Sequence, residues 1–125
     1  MVSEASAEAY IALGEAHLVV LDASAVAAFL LQDEDGVFWD DRPLSEALYL
    51  HRIAVDPAAS GGQATRVIAD WAAAEAVRRG RYLLRLDCAP QQKLGDVYLR
   101  MGFAQVDRCV KAGWDVLRFE RRLSR

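Results

Sequence analysis

Apolar positions along this chain change period several times, and each change marks an element. Serines ahead of the alanine-rich run "SEASAEAYIALG" (3–14), with Gly14 as its stop, predict a short helix. "AHLVVLDAS" and "AVAAFLLQ", bounded by turn residues, predict antiparallel strands, and "QDEDG" with "VFW" beyond it predicts a hairpin closing on Asp35-Gly36. After the loop "DDRPLSE", the segment "ALYLHRIAV" is rich in strand formers. A period of two puts Tyr49, His51, Ile53 and Val55 on one face of it.

From Ala64 to Arg79 the residues Ile68, Trp71, Ala72 and Val77 recur at helical spacing, with Arg78 and Arg79 in the last turn and Gly80 ending the helix. "YLLRLD" then reads as a strand and "QQKLGDVYLRM" as a short helix stopped by Gly102. "FAQVDRCV" and "DVLRFERRL" read as two strands joined through "KAGW". Several neighbouring strands lack a helix between them while the long helix bridges two others, so the expected class is mixed α+β or α/β rather than a pure Rossmann fold.

At 125 residues, 54% hydrophobic, residues 1–125 are expected to form one domain around one core. A net charge of −3 lacks the clustered cationic footprint of a nucleic-acid binder. No apolar run approaches the roughly 20 residues of a membrane span, and the N-terminus has no basic start and apolar core of a leader. The expectation is a cytoplasmic protein that binds neither nucleic acid nor membrane.

Cys88 and Cys109 have no paired spacing and no nearby histidine in sequence, so they read as free thiols. Cys88, at the end of "LRLDC", reads as a small buried hydrophobe rather than a nucleophile, and Asp87 as a strand-end residue. Asp33, Glu34 and Asp35 lack the spaced ligands of a calcium loop and read as a solvated turn. No metal is expected. His51, two residues from Tyr49, has a side chain whose ordinary pKa lies near neutral, so it is either a general base or a satisfied core histidine.

From about Ala47 to Leu123 the chain resembles the GNAT superfamily of acyl-CoA-dependent N-acetyltransferases. "LYLHRIAVDP" leading into a small-residue loop and helix, the strand "LRLD", and "YLRMGF" as a Tyr-x-x-x-Gly-Phe ending carry the resemblance, in that order. It implies a central, mostly antiparallel twisted sheet with helices packed on it, shortened at the N-terminus, where the family commonly has a further strand and a helix pair that wall the acceptor pocket. It also implies acetyl-CoA as cosubstrate, lined by the backbone of Ile53, Ala54 and Val55. The following loop, Ser60, Gly61, Gly62, Gln63, Ala64 and Thr65, would wrap the pyrophosphate at a helix N-terminus, where unpaired N–H groups and the helix dipole favour an anion. Counting back from Trp71 sets Ser60, Gln63 and Thr65 on the family's Arg/Gln, Gly and Gly positions. A one-residue slip sets Ala59, Gly62 and Ala64 there, and both registers stay open; read without the resemblance, "AASGG" is an ordinary connection.

The resemblance further implies that Tyr98, four residues before Gly102, donates a proton to the thioester sulfur; its alternative role is helix packing. His51 is the candidate base, and Gln91 stands where relatives often carry Asn, to contact the pantetheine arm or cap the helix. The expected activity is acetyl transfer from acetyl-CoA to a primary amine of a small molecule or peptide. The alternative is a weak or inactive GNAT-like module that binds CoA or another protein. Because so little chain precedes "HLVVLD", that strand is expected at a sheet edge, with a homodimer covering it.

Overall fold

The computed structural model describes residues 16–21, 24–59 and 63–123. The helix expected over 3–14, and Ser60, Gly61 and Gly62, lie outside the described residues. The elements run β1 (Ala16–Leu21), β2 (Ser24–Gln32), β3 (Ala47–Val55), α1 (Gln63–Arg78), β4 (Leu83–Cys88), α2 (Gln92–Arg100), β5 (Ala104–Lys111) and β6 (Trp114–Arg122). The strands form one sheet in the order β1-β2-β3-β4-β6-β5. Each neighbouring pair is antiparallel except β3 and β4, which run parallel. The helix α1 connects that parallel pair, as a crossover must.

One face of the sheet packs on α1. Ala64, Ile68, Ala69, Ala72, Ala73 and Ala76 are buried there against Leu31, Leu48, Leu50, Leu84, Leu86 and Phe119. The small alanines let the helix lie close to the strands. Its end follows the expected pattern: Gly80 has φ 78°, and the amides of Gly80 and Arg81 donate back to the carbonyls of Val77 and Ala76.

The opposite face is covered by the chain between β2 and β3. The hairpin expected at Asp35-Gly36 does not form, since β2 pairs with β1 and β3 and no strand follows at "VFW". The Asp35 carboxylate instead accepts the amides of Val37 and Phe38, which folds the chain back and drops Trp39 onto the sheet. Trp39 is fully buried between two guanidinium groups, with Arg85 4.9 Å and Arg118 4.7 Å from a ring centroid. Both arginines are themselves buried, and both are richly bonded. Arg85 donates to Glu46, Glu120, the Tyr49 hydroxyl and the Pro43 carbonyl; Arg118 donates to Asp41, Asp107 and the Phe38 carbonyl. Four carboxylates thus neutralise two buried cations and tie the loop to the sheet.

The strand β3 departs from strict alternation. His51 pairs with Leu30 and Ala54 with Ala28, so β3 spends three residues where β2 spends two. Arg52, with φ 53°, takes up the extra residue as a β-bulge. The face expected to hold Tyr49, His51, Ile53 and Val55 is therefore split. Tyr49 packs with Trp39 beneath the loop, whereas Ile53 and Val55 join the α1 side with Leu48 and Leu50.

Candidate functional site

The parallel ladder between β3 and β4 covers Ala47 to Leu50 and Leu83 to Leu86 and goes no further. Beyond it β3 stays paired to β2 and β4 to β6, so the two central strands part at His51 and Asp87. Backbone groups of β3 along that gap are left for some other partner. Chemistry-bearing side chains converge on the same place from both faces.

On the loop face, His51 Nε2 lies 3.3 Å from Asp35 Oδ2, with the two side chains 18% and 7% exposed. Asp87 shares the face, as does Arg85 two residues earlier. Burial pushes the Asp87 carboxyl up to about 6; the nearby Asp35 adds to the rise and Arg118 opposes it. Asp35, His51 and Asp87 offer donor atoms within 4.8 Å of one another. Brought together from separate segments, these three side chains form an acid–base cluster, and they are of the residue types that ligate a divalent metal. The expectation of no metal rested on spacing along the chain, and these residues come from three separate segments.

On the helix face, Cys88 at the end of β4 and Tyr98 on α2 pack against the main core. Burial raises the Cys88 thiol to about 11, with the Asp87 charge adding to it, so it is a protonated thiol near neutral pH and a poor nucleophile. Burial raises the Tyr98 phenol to about 12, with smaller contributions from Cys88 and Asp87, which keeps its proton in place. The ring packs on Phe103 and Phe119 at centroid distances of 6.2 and 5.8 Å.

The spacing from Tyr98 to Gly102-Phe103 has a local cause. Gly102 has φ 89°, its amide donates to the Leu99 carbonyl, and the Phe103 amide donates to the Tyr98 carbonyl. This is a helix stop in which the residue after the glycine packs back on the residue whose carbonyl it caps, here Phe103 on Tyr98. The Tyr-x-x-x-Gly-Phe pattern therefore fixes where the phenol stands. It does so whatever the phenol is for.

The other sequence candidates lie on β3 beyond the bulge, at the start of α1 and ahead of α2. Ile53 and Val55 are half-buried and Ala54 is exposed, on β3 beyond the bulge. Gln63 opens α1, followed by buried Ala64 and half-buried Thr65, with no acidic residue in the first helical turn to oppose an anion. Gln91 is exposed ahead of α2 and makes no side-chain capping bond, so the capping alternative is set aside. Asp35 is the largest correction: it is 9% exposed and faces His51, while Asp33 and Glu34 remain exposed as a solvated turn would have them. Sequence reasoning missed Asp35 and Asp87 as site residues. The one signal available was the turn chemistry of Asp35-Gly36, which points to a carboxylate holding main-chain amides but not to its second partner.

No protein-family model matches the chain, and no curated protein sequence does. Solved structures do. An acetyltransferase of the GNAT family from Listeria monocytogenes superposes with a TM-score of 0.67 at 27% identity, over 89% of this chain and 66% of that one. The GNAT domain of S. lividans PAT gives 0.66 at 20% identity, over 86% and 60%. Aminoglycoside acetyltransferase AAC(6')-Ib, solved with ribostamycin and coenzyme A, gives 0.73 at 9% identity, over 86% and 63%. The chain thus spans slightly less than two thirds of the length of these proteins. The six-stranded, mostly antiparallel sheet with its helices agrees with the likeness, and the chain has the fold of the GNAT acetyltransferases.

Proposed function

We propose that the chain is an acetyl-CoA-dependent N-acetyltransferase acting on a primary amine. The observation that carries the reading is the parting of β3 and β4, with His51 and its carboxylates on one face of the gap and Tyr98 on the other. An acyl thioester threaded through the gap would present its carbonyl to an amine on the loop face and its sulfur to Tyr98. Main-chain groups of Ile53, Ala54 and Val55 are free of β4 to hold the pantetheine arm, and Gln91 is the side chain that would contact that arm. The pyrophosphate would sit at the start of α1, on the amides of the segment from Ser60 to Thr65.

The amine nitrogen attacks the thioester carbonyl carbon, the carbon–sulfur bond breaks, and an amide forms. His51 takes the proton that the nitrogen loses, and the Tyr98 hydroxyl supplies one to the departing sulfur. A phenol held near 12 is a hydrogen-bond donor throughout the neutral range, which suits that role. Among the neighbours, AAC(6')-Ib is solved with aminoglycosides, and a putative acetyltransferase from Salmonella typhimurium with acetyl-CoA. These support the cosubstrate and an amine acceptor of small size. No helix among the described residues is long and apolar enough to cross a membrane.

A second reading has one feature behind it. In the register anchored on Trp71, both glycine positions of the phosphate loop carry side chains, Gln63 and Thr65, and Gln63 lies inside α1. A side chain there hinders the approach of an anion to the backbone, as in a weak or inactive CoA-binding module.

Release of free CoA from acetyl-CoA with a panel of primary amines tests the reading. The expected result is turnover that falls by on the order of a hundredfold in Tyr98→Phe, with acetyl-CoA affinity by calorimetry nearly unchanged. In His51→Ala the pH dependence of the rate should change. Parent protein that binds acetyl-CoA yet releases no CoA with any amine favours the inactive module.

A further inference from the structure

We propose that Asp35 is the positioning residue for His51, so that the loop between β2 and β3 completes the acid–base site. The inference rests on the acetyltransferase reading for what His51 does, and on geometry alone for the pairing. The two oxygens of this carboxylate are differently engaged. Oδ1 accepts the amides of Val37 at 3.1 Å and Phe38 at 3.0 Å, which fixes the plane and height of the group. Oδ2 is buried, has no hydrogen-bond partner among the described residues, and stands 3.3 Å from His51 Nε2.

An anchored acceptor at that position selects the imidazole tautomer with its hydrogen on Nε2 and the lone pair on Nδ1. When the attacking amine gives its proton to Nδ1, the carboxylate steadies the imidazolium and takes up no proton itself. The loop cannot drift from this arrangement cheaply. Trp39, four residues on, is clamped between Arg85 and Arg118, and Arg118 also holds Asp41. Among the described residues, ionisable groups around the pair include Tyr49 on β3, Asp87 on β4, and Arg118 on β6, which acts on Asp87. Cys88 on β4 and Tyr98 on α2 are coupled electrostatically to Asp87.

The test uses the whole chain labelled with nitrogen-15 in histidine, with His51→Gln identifying the resonances against those of His17. The parent should show His51 as the Nε2–H tautomer. Asp35→Asn keeps an acceptor for both amides and turns the other end into a donor, so its His51 should shift towards the Nδ1–H tautomer and titrate at lower pH than in the parent. With an amine acceptor, Asp35→Asn should lower kcat about tenfold or more, with KM for acetyl-CoA changed less than about twofold, and should cost nothing further when added to His51→Ala. An Nδ1–H tautomer in the parent overturns the inference without any variant. An imidazole titration unmoved in folded Asp35→Asn, or losses that multiply in the double variant, also overturn it. A parent inactive towards every amine defeats the acetyltransferase reading instead, and the imidazole spectra still decide whether Asp35 positions His51.

Discussion

At the scale of single residues, the carboxyl of Asp87 works against the fold it belongs to. Burial raises it to about 6 from 3.8, so between those values the folded chain holds a proton that the unfolded chain has lost. Stability is thereby reduced as pH rises through the window and stays lower above it, by about 3 kcal/mol for a shift of about two pKa units. Asp41 and Asp107 act in the opposite sense. Hydrogen bonds from Arg118 hold both below the ordinary carboxylate range, and the stability they contribute is lost as acid protonates them. Asp87→Asn removes only the first effect. Denaturant unfolding at pH 4 and pH 8 should show the variant gaining on the parent by about 2.5 kcal/mol between the two conditions; a difference independent of pH would refute the assignment. Nothing in "LRLDC" announces this, because the cost arises from what covers the strand end. His51 was legible as a candidate from its residue type and strand, and Tyr98 from its spacing to Gly102-Phe103.

Among the elements, the loop between β2 and β3 contributes most that periodicity could not supply. "VFW" has the composition of a strand, yet Asp35 turns the chain, and the aromatic ring gains more by entering the cleft between two arginines than a strand would by exposing it. Truncating a buried tryptophan typically costs about 3–5 kcal/mol. Trp39→Ala should reach that range and loosen Asp35 from His51, lowering both the midpoint of thermal unfolding and any acetyl transfer. The indole N–H has no hydrogen-bond partner among the described residues, so Trp39→Phe sacrifices no bond and should cost less than half as much. Equal losses in the two variants by calorimetry would show that the stacking is not what holds the loop. The strand β3 teaches a related lesson. Strict alternation fails at Arg52, where one residue in a left-handed conformation exchanges the two faces and sends Ile53 and Val55 to the side of α1.

For the whole molecule, the sheet leaves β1 and β5 as its outer strands among the described residues, as "HLVVLD" led us to expect for the first of them. His17 is buried on β1 between Phe29 and Trp71, so this edge is firmly docked on one side, and among the described residues no strand pairs with its other row of backbone groups. An edge of that kind invites a second copy. Sedimentation equilibrium at tens of micromolar, a range that detects weak association, should find dimer; monomer alone would remove the proposal. What the sequence determined by itself is whatever depends on near neighbours: the periods of the strands and helices, the glycine stops at Gly80 and Gly102, and the phenol set by the second of these. Those patterns in order were enough to point to the superfamily. Tertiary structure alone decided the splitting of β3 by its bulge, the clamped tryptophan, and the meeting of Asp35, His51 and Asp87. The reason is physical: register, burial and the field at a titrating group are set by residues dozens of positions away, and no local pattern encodes which of them will arrive.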